Sequence, residues 1–189
     1  MIEYEKKLML TKAEYTAVTK HIFRGAEPFV QINRYFDTDD LKMYKSNITC
    51  RIREKNGLFE ATVKEHDAKI KEKSLEHTRV IKASDRSVFG TKGIKYQGSL
   101  TTFRLSRTDA SDIKIMLDRN IYLDREDYEL EIEYAPDLET EAKKELDKIA
   151  DYLYSRGFIG NIKEFQKRTG QSENKSSRFF KRLTEIKLS

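Results

Sequence analysis

Tyr128-Glu129-Leu130-Glu131-Ile132-Glu133-Tyr134 decides how this chain is read. The residues alternate at a period of two, which puts Tyr128, Leu130, Ile132 and Tyr134 on one face of a strand and three glutamates on the other. Glu3-Tyr4-Glu5-Lys6-Lys7 near the start, bounded by Ile2, Leu8 and Leu10, repeats the pattern with Glu3, Glu5 and Lys7 on one face. Two acidic faces that converge would form a metal site. Two that stay apart are half-exposed strands with solvated carboxylates, and for each taken singly that is the commoner case.

Between these segments the chain reads mostly as short strands. Thr11-Lys12-Ala13-Glu14 is a capping box, so a helix should run to about residue 23 with Tyr15, Val18, Ile22 and Phe23 on one side and Arg24-Gly25 at its end. Pro28 opens a strand over 29–37, with Val30, Ile32 and Phe36 opposite Gln31, Asn33 and Tyr35. Thr38-Asp39-Asp40 is a turn, followed by a short irregular or helical link over 41–44. The next strand, 47–55, sets Ile48, Cys50 and Ile52 against Thr49, Arg51, Arg53 and Lys55. Asn56-Gly57 then turns the chain into a paired strand, 58–65, where Phe59, Ala61 and Val63 oppose Glu60, Thr62 and Lys64.

Residues 68–82 do not sort onto one parity and read as a strand with a bulge, and 84–93 as a short helix closed by glycine. Strands at 100–108 and 113–118 precede the acidic one, giving about eight antiparallel strands. At that number a closed sheet leaves room for side chains or one small ligand. Pro136 ends the last strand, and a helix over 137–156 carries Leu138, Ala142, Leu146, Ile149, Ala150 and Leu153 as one stripe. After a loop around Gly170, a basic helix over 176–186 is either a solvated face or a lid, and Phe179 and Phe180 suggest that it docks. The expectation is a single domain over 1–189 of the α+β class, mainly antiparallel β: an eight-stranded closed or nearly closed barrel with flanking helices.

Composition agrees. Apolar residues make up 38% and charged residues 37%, a balance that a barrel with a polar interior would produce, while 11% aromatics argue against disorder. The net charge of +5 is interspersed, which weakly favours a polyanionic ligand and lacks the clustered basic stripe of a specific nucleic-acid binder. Cys50 stands alone, so no intramolecular disulfide forms, and no zinc spacing joins it to His21, His66 or His77. Cys50 shares parity with Ile48 and Ile52 and reads as an inert core thiol; His21 and His77 read as surface or packing residues. No stretch approaches membrane-spanning length and the start has no apolar leader, so a cytoplasmic protein without a membrane partner is expected. A homodimer stays open.

Glu3-x-Glu5-x-Lys7 resembles the ExExK signature of the CYTH superfamily, the triphosphate tunnel metalloenzymes. Arg51-x-Arg53, Lys64, Leu100-Thr101-Thr102-Phe103-Arg104, Leu117-Asp118 and Asp127-Tyr128-Glu129-Leu130-Glu131 follow in the family's order. Asn174-Lys175-Ser176-Ser177-Arg178-Phe179 is similar to the carboxy-terminal element of the bacterial branch often labelled as adenylate cyclase. The sequence departs at Thr102, where many relatives have a basic residue, and in its fifth strand Glu76 or Arg79 is the contributor.

The resemblance implies a barrel tunnel that binds a triphosphate with Mg2+ or Mn2+. Facing carboxylates repel unless a cation neutralises them, so Glu3, Glu5, Asp118, Glu129 and Glu131 are the implied metal ligands, an all-oxygen set suited to a hard ion. Lys7, Arg51, Arg53, Lys64, Arg104, Lys175 and Arg178 are the implied phosphate cradle. Phosphoryl transfer asks mainly for positioning and charge stabilisation. Glu5 or Glu129 would prepare the attacking water, with Lys7 beside them, and Glu133 would sit solvated at the mouth. The activity expected first is hydrolysis of tripolyphosphate or a nucleoside triphosphate. A class IV-type adenylyl cyclase and a non-catalytic polyphosphate-binding module are the alternatives.

Overall fold

The computed structural model describes residues 2–66, 73–82, 86–90, 92–109 and 112–188. Strand β1 (Ile2–Leu10) pairs antiparallel with β8 (Arg125–Tyr134), setting Glu5 opposite Glu133, Lys7 opposite Glu131 and Met9 opposite Glu129. The two acidic rows are neighbours in one sheet. The other strands are β2 (Phe29–Asp37), β3 (Ile48–Lys55), β4 (Leu58–His66), β5 (Lys73–Ile81), β6 (Lys95–Thr108) and β7 (Lys114–Tyr122). All pairs are antiparallel, and the order β1-β5-β4-β3-β2-β6-β7-β8 curls the sheet back towards its start. Among the described residues, β1 joins β8 over seven residue pairs and β5 over three.

Alternation gives the curled sheet a polar concave face and an apolar convex one. On the convex side of β1, β7 and β8, Leu8, Ile115, Leu117, Leu130 and Ile132 are fully buried. They lie beneath α1 (Lys12–Ile22) and α3 (Glu139–Ser155), which contribute Val18, Leu146, Ile149 and Leu153. The capping box at Thr11 is present, Glu14 N–H donating to Thr11 Oγ1 and Thr11 N–H to Glu14 Oε2. Cys50, Ile52 and Ala61 form a second apolar cluster with Phe36 and Ile94, and burial pushes the Cys50 thiol up to about 11. His21 stacks on Tyr152 of α3, a packing role.

The final helix, α5 (Lys175–Leu188), does not lie on the outside. Its Phe179 and Phe180 enter the concave side and pack on Tyr35, Leu100 and Tyr122, so one end of the interior is stopped by aromatic rings.

Several boundaries differ from the expected ones. Strand β6 begins at Lys95, because its pairing with β2 resumes beyond a bulge at Gly98, where Tyr35 faces Gly98 and Phe36 faces Tyr96, and β7 continues to Tyr122 through Arg119 and Asn120. Pro136–Leu138 forms a 3-10 turn before α3, and Arg86–Phe89 is a 3-10 turn where a helix was expected. The remainder of the 68–82 and 84–93 expectations, residues 68–72, 84–85 and 91, lies outside the described residues. Two short helices, α2 (Lys42–Lys45) and the six-residue α4 (Ile162–Lys167), complete the fold; α4 is too brief for periodicity to reveal and is marked only by its Asn161 cap.

Gly98 has a structural reason. Its φ is +140°, a backbone region disfavoured for side chains, and a Cβ there would stand 2.8 Å from Phe179 Cζ. Gly98→Ala is therefore expected to destabilise the protein by about 2 kcal/mol, from backbone strain and overpacking together. A urea midpoint equal to that of the parent protein would show that α5 is not seated on this strand.

Candidate functional site

The concave side of the sheet holds a cavity of about 90 Å³. Its basic wall comes from alternate residues of β3, Arg51 and Arg53, with Lys64 of β4 and Arg104 of β6. Its acidic wall comes from Glu5 of β1 and from Glu131 and Glu133 of β8, with Lys7 between them and Glu76 of β5 across the way. Asn174, Lys175 and Ser176, at and just before the start of α5, close the end next to Tyr35.

Behind this wall lies a charge cluster with little access to water. Asp118 and Glu129 are fully buried, Glu131 nearly so, and Lys175 Nζ lies 2.8, 2.7 and 2.6 Å from their carboxylates respectively. Arg104 donates through Nε and Nη2 to both oxygens of Asp118, at 2.7 and 2.6 Å, and also pairs with Glu131. Arg178 Nη2 donates to Glu129 Oε2 at 2.9 Å and its Nε to Asp127 Oδ2 at 3.0 Å. Burial alone would raise the carboxyl pKa values, but Lys175 and Arg178 hold Glu129 down to about 2, and Lys175 and Arg104 hold Glu131 well below the usual range. Lys175 is in turn raised: the three carboxylates overcome the burial that would lower it.

The cavity wall itself is less evenly matched. Glu76 receives Arg51 at 3.2 Å and Lys64 at 3.5 Å, and these cations outweigh burial and bring it down to about 2. Lys7 pairs with Glu5, and the carboxylates of Glu5, Glu129 and Glu131 keep its pKa above the ordinary value despite burial. Arg53 has no carboxylate partner among the described residues. Its Nε donates to Asn33 Oδ1 at 3.1 Å, and burial, with Arg51 and Arg104 close by, pulls its pKa down to about 10. Thr49 Oγ1 lies 2.7 Å from Ser176 Oγ and 3.2 Å from His66 Nε2, tying β3, β4 and the head of α5 together. Burial, followed by Lys64 and Lys7, lowers His66 to about 4, so its ring is neutral near pH 7.

Among the described residues, two groups of carboxylates could hold a cation: Glu5, Glu131 and Glu133, and Asp118, Glu129 and Glu131, each offering oxygens within 4.8 Å of one another. Both are hard all-oxygen sets of the kind Mg2+ or Mn2+ prefers. They differ in access, because the first group lines the cavity whereas Asp118 and Glu129 do not, and Lys175 Nζ already sits among the second.

Of the residues singled out in the sequence, Glu5, Lys7, Arg51, Arg53, Lys64, Arg104, Glu131 and Lys175 meet in the cavity wall. Asp118, Glu129 and Arg178 lie in the cluster behind it, and the side chain of Glu3 is outside the described ones. Glu133, read as merely solvated, belongs to the wall; of the fifth-strand pair, Glu76 is inside, whereas Arg79 donates to the Val88 carbonyl and does not line the cavity. Thr102, where a basic residue was the family's habit, is fully buried and donates to Asn120 Oδ1 at 2.7 Å. Tyr35, Thr49, His66, Asn174 and Ser176 were not singled out as site residues. Thr49 was legible from its parity with Arg51 and Arg53; Tyr35, from β2, carried no chemical signal of its own.

A curled antiparallel sheet of eight strands, with paired ions on its concave face and helices on its convex one, defines a charged-interior β protein that suits a polyanion and a hard cation. The CYTH domain model matches residues 1–159, and the chain belongs to that family. It is 34% identical over 152 residues, 71% of its own length and 78% of the relative's, to a Bacillus subtilis (strain 168) protein named "Putative triphosphatase YjbK". In fold it matches a crystal structure described as "a putative adenylate cyclase" from Bacillus halodurans, with TM-score 0.68 and 24% identity, covering 94% of this chain and 97% of that one. It also matches HpAC1 from Hippeastrum, an adenylyl cyclase by name whose description reports a dominant triphosphatase activity, with TM-score 0.62 and 16% identity over 85% and 91% of the two chains.

Two outcomes follow from these electrostatics. Lys175→Met leaves three buried carboxylates short of a cation and is expected to cost about 3–5 kcal/mol in urea unfolding, with Mn2+ raising the midpoint more in the variant than in the parent. A midpoint unchanged by the substitution would contradict the buried pairing. His66 binds no proton in the folded state until pH falls to about 4, whereas an unfolded histidine titrates near 6.5. Its contribution to stability is thus fully present above the unfolded pKa and is lost as pH falls from about 6.5 to about 4. Thermal unfolding of His66→Gln should show a flatter pH dependence in that window, and a parallel curve would contradict the assignment.

Proposed function

We propose that the chain, as one unit over residues 1–189, is a divalent-metal-dependent phosphoanhydride hydrolase that cleaves inorganic tripolyphosphate or a nucleoside triphosphate inside a tunnel formed by the curled sheet. The observation that carries this reading is the make-up of the cavity wall: the guanidinium of Arg53 faces the interior hydrogen-bonded to a neutral amide oxygen, and in the same wall Glu5, Glu131 and Glu133 bring carboxylate oxygens within 4.8 Å of one another. A phosphate chain with a bound dication satisfies both sides at once. The triphosphatase name of the 34%-identical Bacillus subtilis relative supports it.

Arg53, Arg51 and Lys64 would hold the phosphate oxygens, Arg53 first because the other two already share Glu76. Arg104 and Lys175 line the cavity but are committed to the buried carboxylates, so they stiffen the wall and add positive potential. Arg178 reaches the site only through Glu129. Glu5, Glu131 and Glu133 would hold the dication, which when bound neutralises phosphate charge and lowers the pKa of a coordinated water. Glu129, buried behind Lys175 and held near pKa 2, is a poor base, so orienting the attacking water falls to Glu5, which Lys7 holds in place by pairing with it.

The test is a panel of tripolyphosphate, ATP and thiamine triphosphate with Mg2+ or Mn2+, read for orthophosphate, pyrophosphate and cyclic nucleotide. Orthophosphate release that EDTA abolishes is the expected result. Cyclic AMP with stoichiometric pyrophosphate would assign a cyclase, and saturable binding without turnover a sensor.

A further inference from the structure

Arg53 is oriented by a neutral group. Asn33 faces it across the β2–β3 pair, 1% exposed, and accepts from Arg53 Nε through Oδ1 at 3.1 Å. The guanidinium can only donate, so the amide oxygen must point at it, and the amide Nδ2 then points elsewhere. That nitrogen is buried without any hydrogen-bond partner. A buried unsatisfied donor is destabilising, and the residue that would remove it is nearly isosteric: aspartate has an oxygen in the same place and would pair with a cation already surrounded by Arg51 and Arg104. Aspartate at position 33 would thus remove an unpaired donor and set a carboxylate beside three guanidinium groups, against the desolvation cost of a buried ion pair.

The geometry points to Asn33 as a positioning residue that fixes the Arg53 guanidinium while leaving its charge unneutralised, so that the counter-ion is supplied by the phosphate chain of the substrate. This rests on the reading of the cavity as a triphosphate site and adds the residue that keeps its anion position vacant. The other cations of the wall show the contrast: Arg51 and Lys64 share Glu76, Lys7 pairs with Glu5, and Arg104 and Lys175 are held by Asp118 and Glu131. Of these cations Arg53 is the one whose orienting acceptor carries no charge, with Glu76 acting on it only at longer range.

The experiment is calorimetric binding of inorganic tripolyphosphate in EDTA at low ionic strength, with thermal unfolding measured in parallel, for the parent protein, Asn33→Asp, Arg53→Gln and the double variant. Asn33→Asp is expected to unfold at or above the parent temperature and to bind at least about tenfold more weakly. In the Arg53→Gln background the same change is expected to weaken binding by less than about twofold, because there is no longer a charge to neutralise. Parent-like affinity in Asn33→Asp, equal losses in both backgrounds, or weakened binding together with a lowered unfolding temperature would overturn the inference. A parent protein that binds no tripolyphosphate would instead remove the phosphate reading of the cavity, a separate result visible before any variant is compared.

Discussion

Asp118, Glu129 and Glu131 can stand side by side away from water only because one ammonium group, Lys175 Nζ, lies within hydrogen-bonding distance of all three. Ionised carboxylates packed together in a low-dielectric interior would otherwise take up protons or force the strands apart. Much else in the molecule serves to keep that ammonium in place. Lys175 opens α5, whose Ser176 hydroxyl meets Thr49 and whose Phe179 ring lies against Gly98. Arg104 and Arg178 complete the neutralisation from two further directions.

This arrangement divides the interior into two zones with different chemistry. The inner zone is saturated: each carboxylate has its cation, and the aromatic end of α5 keeps water away. The outer zone faces the cavity, with Glu5, Glu133 and the shared Glu131, each already beside a cation, on one wall and an Arg53 oriented by an amide on the other. A rigid, saturated layer behind the cavity wall is what pre-organisation requires, since the ligand then finds its partners already placed. Residues of the inner layer act on the site through geometry and field, and residues of the outer layer act by contact.

The fold was legible in the sequence where side chains alternate cleanly. Strands β1, β2, β3 and β8, the Asn56-Gly57 hairpin and the capping box at Thr11 follow directly from parity and turn chemistry. Legibility failed where a strand resumes beyond a bulge that shifts its parity, as at Gly98 in β6, and where an element is too short for a period, as in α4. The site was legible as a composition of charges but not as a partition. Nothing in the spacing of Glu129, Glu131 and Glu133 says which of them a tethered lysine will cover, because that depends on where α5 enters the concave face. Asn33 carried no signal, since an asparagine on an inward parity is equally a packing residue; its meaning comes from the arginine it faces and the nitrogen it leaves unpaired.

The central claim is that the outer zone, and not the inner cluster, receives both cation and anion. Anomalous diffraction from crystals grown with Mn2+ and tripolyphosphate measures this directly. The account expects a manganese peak in contact with carboxylate oxygens of Glu5 and Glu131, at about 2.1–2.2 Å, phosphate density against the Arg53 guanidinium, and Lys175 still seated on Asp118 and Glu129. A manganese ion among Asp118, Glu129 and Glu131 with Lys175 displaced, or a cavity empty of both ligands, would contradict it.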